Sequence, residues 1–422
     1  MINISNLFLV LVDRCKPILL KIIPISMLRK IKRYVVIKSF NRLDKLKFTP
    51  FKRDKYKDGI NLIGNIRAEI GLGQSCRLLA NELNESFINF CIYNYVQVSA
   101  LRMNDTTWDH KISDNLPYNI NLIHINPYEL GIAYLKIDKK VWDYRYNIAF
   151  WLWELEEFPD EWTECIPYLD EIWTPSEFAS ESIRKKTSKP VFTIPYYVTA
   201  PIDGRYDRSY FGLPEDKFLF LTMYDSNSTM ERKNPLGAIQ AYKMAFKKEN
   251  KDVGLVIKIN NVQKKDMETI QEIMLGYENV YYITDVLQKV QVNSLIKCID
   301  VFVSLHRAEG FGLVLAEAML LGTPAIATNW SSNTEFMTGD TSCLVDYNLI
   351  EIRDECGPYK PGNRWAEPDL ACASEFMIRL FNDKNFYDNI ALKGKSHIEI
   401  QLSKDKAVSI IEKRVTEIYE NR

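Results

Sequence analysis

One pattern governs what this chain can become. Short apolar runs alternate with helical lengths of sequence, and they do so twice, on either side of an irregular segment at 199–214. In the first half, runs at 59–64, 119–125, 146–151, 171–174 and 190–194 read as strands, and 74–83 reads as a helix. In the second half, strands at 217–223, 254–259, 280–283, 301–305 and 324–328 alternate with helices at 235–247, 264–275, 290–299 and 312–321. Strands separated by helices imply a parallel sheet covered on both faces. The expected class is α/β, with two Rossmann-like halves at 59–198 and 215–400 joined by the linker 199–214, where Pro, Gly, Asp and Tyr replace the periodicity. Ligands of such sheets sit beyond the carboxyl ends of the strands, so the expected site is the cleft between the halves.

Composition narrows the class further. The chain has 422 residues, 46% apolar and 26% charged, with 17 Gly and 17 Pro, which excludes a collagenous or disordered protein. A net charge of −1 conceals an asymmetry: residues 1–58 hold 15 Lys and Arg against 4 Asp, and the remainder holds 39 basic against 51 acidic residues. Within that arm, Lys16, Lys21, Arg29, Lys30, Lys32 and Arg33 interleave with Leu, Ile and Val. Its longest early apolar run, 7–12, falls far short of the ~20 residues a membrane span needs, and charges follow it rather than precede it as in a signal peptide. Residues 1–45 suit an interfacial helix on an anionic membrane surface; a mobile basic tail, or a helix packed on the body, fits as well. The eight cysteines are scattered with no C-x-x-C pair, which speaks for neither a zinc site nor a disulfide framework and for a reduced, cytoplasmic protein.

The segment 301–324 carries the chemistry. A buried strand runs into a loop with Glu309, Gly310, Phe311 and Gly312, a helix opens at once, and Gly322 and Pro324 end it. Glycines at a helix amino terminus let a ligand approach backbone N–H groups whose dipole favours an anion, so a phosphate or diphosphate is the expected guest. Glu317, on the second turn, is placed to hold a ribose diol through two charge-assisted hydrogen bonds. An anion site beside two carboxylates calls for a ligand both phosphorylated and polyhydroxylated, which a nucleotide sugar satisfies. Taken singly, Glu309 as a helix cap and Glu317 as a solvated residue remain the plainer readings; the joint pattern favours the ligand.

Glu309, seven intervening residues and Glu317, preceded by Ser304 and enclosing Gly310-Phe311-Gly312, resemble the E-x7-E signature of family 4 glycosyltransferases. The resemblance extends from about Gly59 onward. It implies the GT-B fold of two facing Rossmann-like domains, with a terminal helix at 404–419, within 401–422, crossing back to the first. It also implies a retaining hexosyltransferase that needs no metal or other cofactor and takes a nucleotide sugar (GDP-mannose, or a UDP- or dTDP-sugar). The acceptor it implies is a saccharide or lipid-linked saccharide of a bacterial surface polysaccharide such as O-antigen or capsule; no nucleic-acid partner is expected. Glu309 and the amides of Gly310, Phe311 and Gly312 would hold the donor sugar and Glu317 the ribose. Lys233, with Arg232 beside it, would neutralise the diphosphate, although no Arg lies between Met223 and Met230, where the family's usual pattern has one. Lys258 is a weaker phosphate candidate. Gly71 and Gly73 resemble the family's glycine loop, and His124 resembles the histidine that touches donor sugar or acceptor; His306, in the signature loop, is a further donor contact. The aromatic and acidic stretch at 151–159 either lines the acceptor cleft or packs on the sheet. The absence of any D-x-D triad argues against the metal-dependent GT-A transferases. A catalytically silent GT-B sugar-binding module or partner subunit, and a nucleotide-sugar epimerase of the same fold, are the competing readings.

Overall fold

The computed structural model describes residues 48–96, 102–226 and 228–420, so the expectation of a membrane-seeking segment at 1–45 lies outside the described residues. The first half runs β1 (Lys57–Gly64), α1 (Gly71–Glu85), β2 (Phe90–Asn94), β3 (Tyr118–His124), α2 (Pro127–Lys136), β4 (Tyr146–Phe150), β5 (Glu171–Thr174), α3 (Glu177–Arg184) and β6 (Val191–Thr193). Its six strands are all parallel, in the order β2-β1-β3-β4-β5-β6. Buried Asn61, Asn121 and Asn147 lie in register on three neighbouring strands and bond one another, Asn61 Nδ2 to Asn121 Oδ1 at 2.9 Å and Asn121 Nδ2 to Asn147 Oδ1 at 2.8 Å. A one-residue slip would bury these amides unpaired, so the ladder pins the register.

Residues 194–217 carry turns only. The second half follows with β7 (Phe218–Asp225), α4 (Met230–Lys233), α5 (Pro235–Ala245), β8 (Val253–Asn260), α6 (Lys264–Ile273), β9 (Val280–Ile283), α7 (Lys289–Cys298), β10 (Val301–Ser304), α8 (Leu313–Leu320), β11 (Ala325–Thr328) and β12 (Cys343–Val345). These strands are also parallel, in the order β12-β11-β10-β7-β8-β9. Read from the β9 edge, that is the doubly wound order whose direction of winding reverses between the first and fourth strands, here β7 and β10. The first sheet reverses between β1 and β3. Both reversals open crevices at strand carboxyl ends, and the resemblance's expectation of two facing parallel α/β sheets holds.

An antiparallel hairpin, β13 (Tyr347–Glu351) with β14 (Arg364–Pro368), leaves the second sheet before the helices α9 (Leu370–Asn382), α10 (Lys384–Gln401) and α11 (Lys404–Glu420). α11 docks on the first half. Arg414 grips fully buried Glu171 through two bonds of 3.1 and 2.6 Å, and the Tyr419 hydroxyl accepts from the Gly59 amide and donates to Asn119 Oδ1, both at 2.9 Å. Removing one partner of a buried ion pair strands the other's charge, at a cost of about 3–5 kcal/mol. Arg414→Met is therefore expected to lower stability by about 3 kcal/mol, read from the midpoint of urea unfolding.

Candidate functional site

Two loops meet where the second sheet reverses. The first leaves β7, makes the single helical turn α4, and breaks at Asn234, whose backbone is left-handed at φ +48°. Asn tolerates that conformation, and its side chain then caps α5 by accepting from the Gly237 amide at 3.1 Å. The second leaves β10 and reaches α8 through Gly312, left-handed at φ +91° with Asn333 Cβ only 3.1 Å from where a Cβ would stand. The loops are stitched together: the Arg307 amide donates to the Arg232 carbonyl at 2.7 Å, Asn234 Nδ2 to the Leu305 carbonyl at 2.9 Å, and Arg232 NH1 to the Ala308 carbonyl at 2.8 Å.

This stitching brings Glu309 onto both cations. Its Oε1 pairs with Lys233 Nζ, and its Oε2 stands 3.6 Å from Arg232 NH1, with 13% of the Glu309 side chain and 27% of the Lys233 side chain exposed. The Glu309 amide donates to Ser331 Oγ at 2.9 Å. Burial alone would raise the Glu309 carboxyl; Lys233 and Arg232 overcome it and hold the group at about 2. Lys233 itself is lowered from its ordinary value, because burial outweighs the attraction of Glu309. Gly310 lies against residues 152–154 of the first half, and Phe311 packs edge-on against Tyr196 at 4.9 Å. The amides of Leu315 and Ala316 both take the Gly312 carbonyl. By helix geometry the N–H groups ahead of them have no intrahelical acceptor and line the head of α8.

Glu317 sits one turn further on, 1% exposed, paired with Lys289 of α7 at 2.5 Å. Burial pushes this carboxyl up and Lys289 opposes the push. Lys289 went unnoticed in the sequence, although a Lys opening a helix stands at the wrong end of the dipole, which is a readable sign of a use elsewhere.

Other expected residues fall differently. His306 is fully buried with both ring nitrogens engaged, Nε2 with Asn333 Oδ1 at 3.0 Å and Nδ1 with Ser304 at 3.1 Å, so it braces the loop from beneath instead of facing a ligand. Gly71 and Gly73 are not in a loop but in the first turn of α1. Gly73 is needed for packing, since a Cβ there would lie 2.0 Å from the Ala68 carbonyl oxygen, whereas Gly71 faces open space. His124, at the end of β3, is fully buried and stacked on Phe150; burial takes it down to about 4, leaving it neutral. Its Nε2 is bonded to Ser75 Oγ at 2.5 Å, which in turn bonds Tyr196, and its Nδ1 has no partner. Lys258, also fully buried, donates to Asn260 Oδ1 at 2.6 Å and is pushed down to about 8 by burial against the pull of Asp225 and Asp285. Of the two readings of residues 151–159, packing prevails: Trp151, Trp153 and Phe158 are core, with Trp151 Nε1 on the Ile125 carbonyl at 3.0 Å. Among the described residues no group of three or more His, Cys, Asp or Glu could hold a metal ion, and no helix is long and apolar enough to cross a membrane.

The halves also touch around this site. Ser176 Oγ bonds Ser332 Oγ at 2.9 Å and the Gly310 carbonyl at 3.2 Å, and Glu335 accepts from the Glu177 and Phe178 amides at the head of α3 at 2.9 and 2.8 Å. The segment between β13 and β14 places Tyr359 against Trp153, with ring centroids 5.7 Å apart, and beside Arg232, 5.8 Å from the ring centroid.

Residues 208–346, which span β7 to β12 and include Arg232, Lys233, Glu309 and Glu317, match the family described as Glycosyl transferases group 1. No curated protein matches the sequence. Among solved structures, the chain is similar to HepE of Anabaena in complex with UDP and glucose, at 11% identity, covering 86% of this chain and 100% of that one with a TM-score of 0.61. It is similar to sucrose-phosphate synthase from Thermosynechococcus elongatus at 14% identity, covering 87% and 100% with a TM-score of 0.62. TarM of S. aureus aligns at 13% identity over 70% of this chain and 54% of that one, with a TM-score of 0.52. At such identities the likeness is one of fold, and the fold is GT-B.

A carboxyl held below its ordinary 4.5 stabilises the folded state above that pH, and the contribution drains as pH falls from about 4.5 towards 2. Glu309→Gln should accordingly cost roughly 2–4 kcal/mol at neutral pH and flatten the acid limb of stability, measured by urea unfolding between pH 2 and 7.

Proposed function

We propose that the protein is a retaining glycosyltransferase that moves a hexose from a nucleotide sugar to a saccharide or lipid-linked saccharide in bacterial surface-polysaccharide synthesis. The observation that carries this reading is the convergence of Glu309, Arg232 and Lys233 at the head of α8. The family match of residues 208–346 supports it, as do fold neighbours crystallised with UDP, glucose and UDP-glucose.

Glycosyl transfer passes through an oxocarbenium-like state while negative charge grows on the departing diphosphate. Donors already in place for that charge lower the barrier most. Lys233, Arg232 and the free amides at Gly310–Gly312 fill this role. Glu309, ionised at every working pH, takes the sugar hydroxyls, and Glu317 takes the ribose. His124, neutral and with Nδ1 unpartnered, is assigned to the reacting sugar or acceptor, and Gly71 leaves room beside the diphosphate. Retention follows from attack on the face the diphosphate leaves, with the departing phosphate oxygen taking the acceptor hydroxyl's proton. No step requires a metal. Lys258, spent on Asn260, stays a weaker phosphate contact.

UDP-glucose is the first donor to try, beside GDP-mannose and dTDP-sugars, with nucleotide release as the readout. Lys233→Ala should slow turnover about 10²–10³-fold, and Glu309→Gln should abolish it in protein shown to be folded by circular dichroism. Undiminished turnover in folded Glu309→Gln overturns the assignment, and no release with any donor favours the silent sugar-binding module. Attachment through the basic arm makes a separate prediction: deleting residues 1–45 should release the protein from phosphatidylserine vesicles in a sedimentation assay.

A further inference from the structure

α7 opens on a cation. Lys289 is its first residue, where the positive end of the helix dipole disfavours an ammonium, and the capping there is already supplied by Gln288 and Gln291. Lys289 reaches across to α8 instead and meets Glu317 Oε2 at 2.5 Å, itself 33% exposed against 1% for the glutamate.

Nothing else charged among the described residues serves that carboxyl. From the far end of α7, Lys297 donates to the Leu321 carbonyl at 2.9 Å. From α10, Lys395 lies beside Gly322, 3.9 Å from where its Cβ would be. β10 and β11, on which α8 lies, contribute no charged residue. Glu309, Lys233 and Arg232 at the head of α8 pair with one another.

We propose that Lys289 is a positioning residue for nucleotide recognition: its ion pair keeps Glu317 a carboxylate inside an otherwise apolar helix packing, so that the ribose of an entering nucleoside diphosphate meets acceptor oxygens. The inference rests on the assignment of Glu317 to the ribose. An ionised carboxylate accepts from both hydroxyls of a diol; a carboxylic acid must give up one acceptor position to its own proton. Without Lys289, burial acts on Glu317 unopposed and shifts it towards the protonated form. Raising the pH then restores the carboxylate, which a purely structural role for Lys289 would not produce.

Calorimetric titration of the full chain with UDP and with GDP, from pH 6.5 to 9, tests this. Affinities are compared as the ratio of variant to wild type so that ionisation of the nucleotide cancels. Lys289→Met should bind about tenfold more weakly at pH 6.5 and approach the wild type by pH 9, and Lys289→Arg should stay within about twofold throughout. A loss equal at every pH, or no loss at all, overturns the proposal while leaving Glu317 in place if Glu317→Gln still binds weakly. If Glu317→Gln binds as tightly as the wild type, or the wild type binds neither nucleotide, the ribose assignment itself fails and the role of Lys289 with it. Thermal unfolding of Lys289→Met confirms that the variant titrated is folded.

Discussion

The contact of Glu309 with Lys233 and Arg232 is what the rest of the site depends on. Three charges are gathered in a place with little water, and each would be costly alone. They are tolerated because the loops after β7 and β10 are bound to each other by main-chain carbonyls, which leaves the side chains little choice of direction. Dipoles and charges fixed in advance of the reaction need no reorganisation when charge develops on a ligand. The arrangement is also self-neutralising, since the Glu309 carboxylate lies against both cations.

That pair stands where the sheet topology says a ligand belongs. The order of the second sheet reverses between β7 and β10, and the two loops leave from those strands. Around the reversal, residues from distant parts of the chain act as braces. His306 and Asn333 hold the underside of the β10 loop, and Arg307 extends to Glu367 of the hairpin with bonds of 2.7 and 2.9 Å. The hairpin in turn carries Tyr359 to Trp153, so a segment outside both parallel sheets ties the loop to the first half.

What the sequence disclosed follows from what local pattern encodes. Continuous apolar runs revealed β7, β8, β10 and β11 because central parallel strands are buried on both faces and leave little ambiguity. The strand, glycine-bearing loop and helix onset around Glu309 were legible because glycine placement and helix onset are written within a few residues. His306 was misjudged for the opposite reason: whether its ring nitrogens meet solvent or Asn333, 27 positions away, is decided by tertiary packing. Lys289 and Glu317 lie on separate helices and share no spacing rule. The hairpin was missed because strands half-exposed at the edge of a fold, such as Tyr347–Glu351, carry too weak an alternation. Resemblance to the family's glycine loop puts Gly71 and Gly73 in a loop; in the structure they open α1, and the close approach of Ala68 makes glycine necessary at Gly73.

Glu335 has a consequence for how the two halves are held together. Its carboxylate fills the amino end of α3, a position that attracts any anion of suitable size. Its two bonds to those amides tie the second half to the first with a charge-assisted contact. Without that carboxylate the two amides at the head of α3 would lose their acceptor, so the seam depends on a charge as well as on packing.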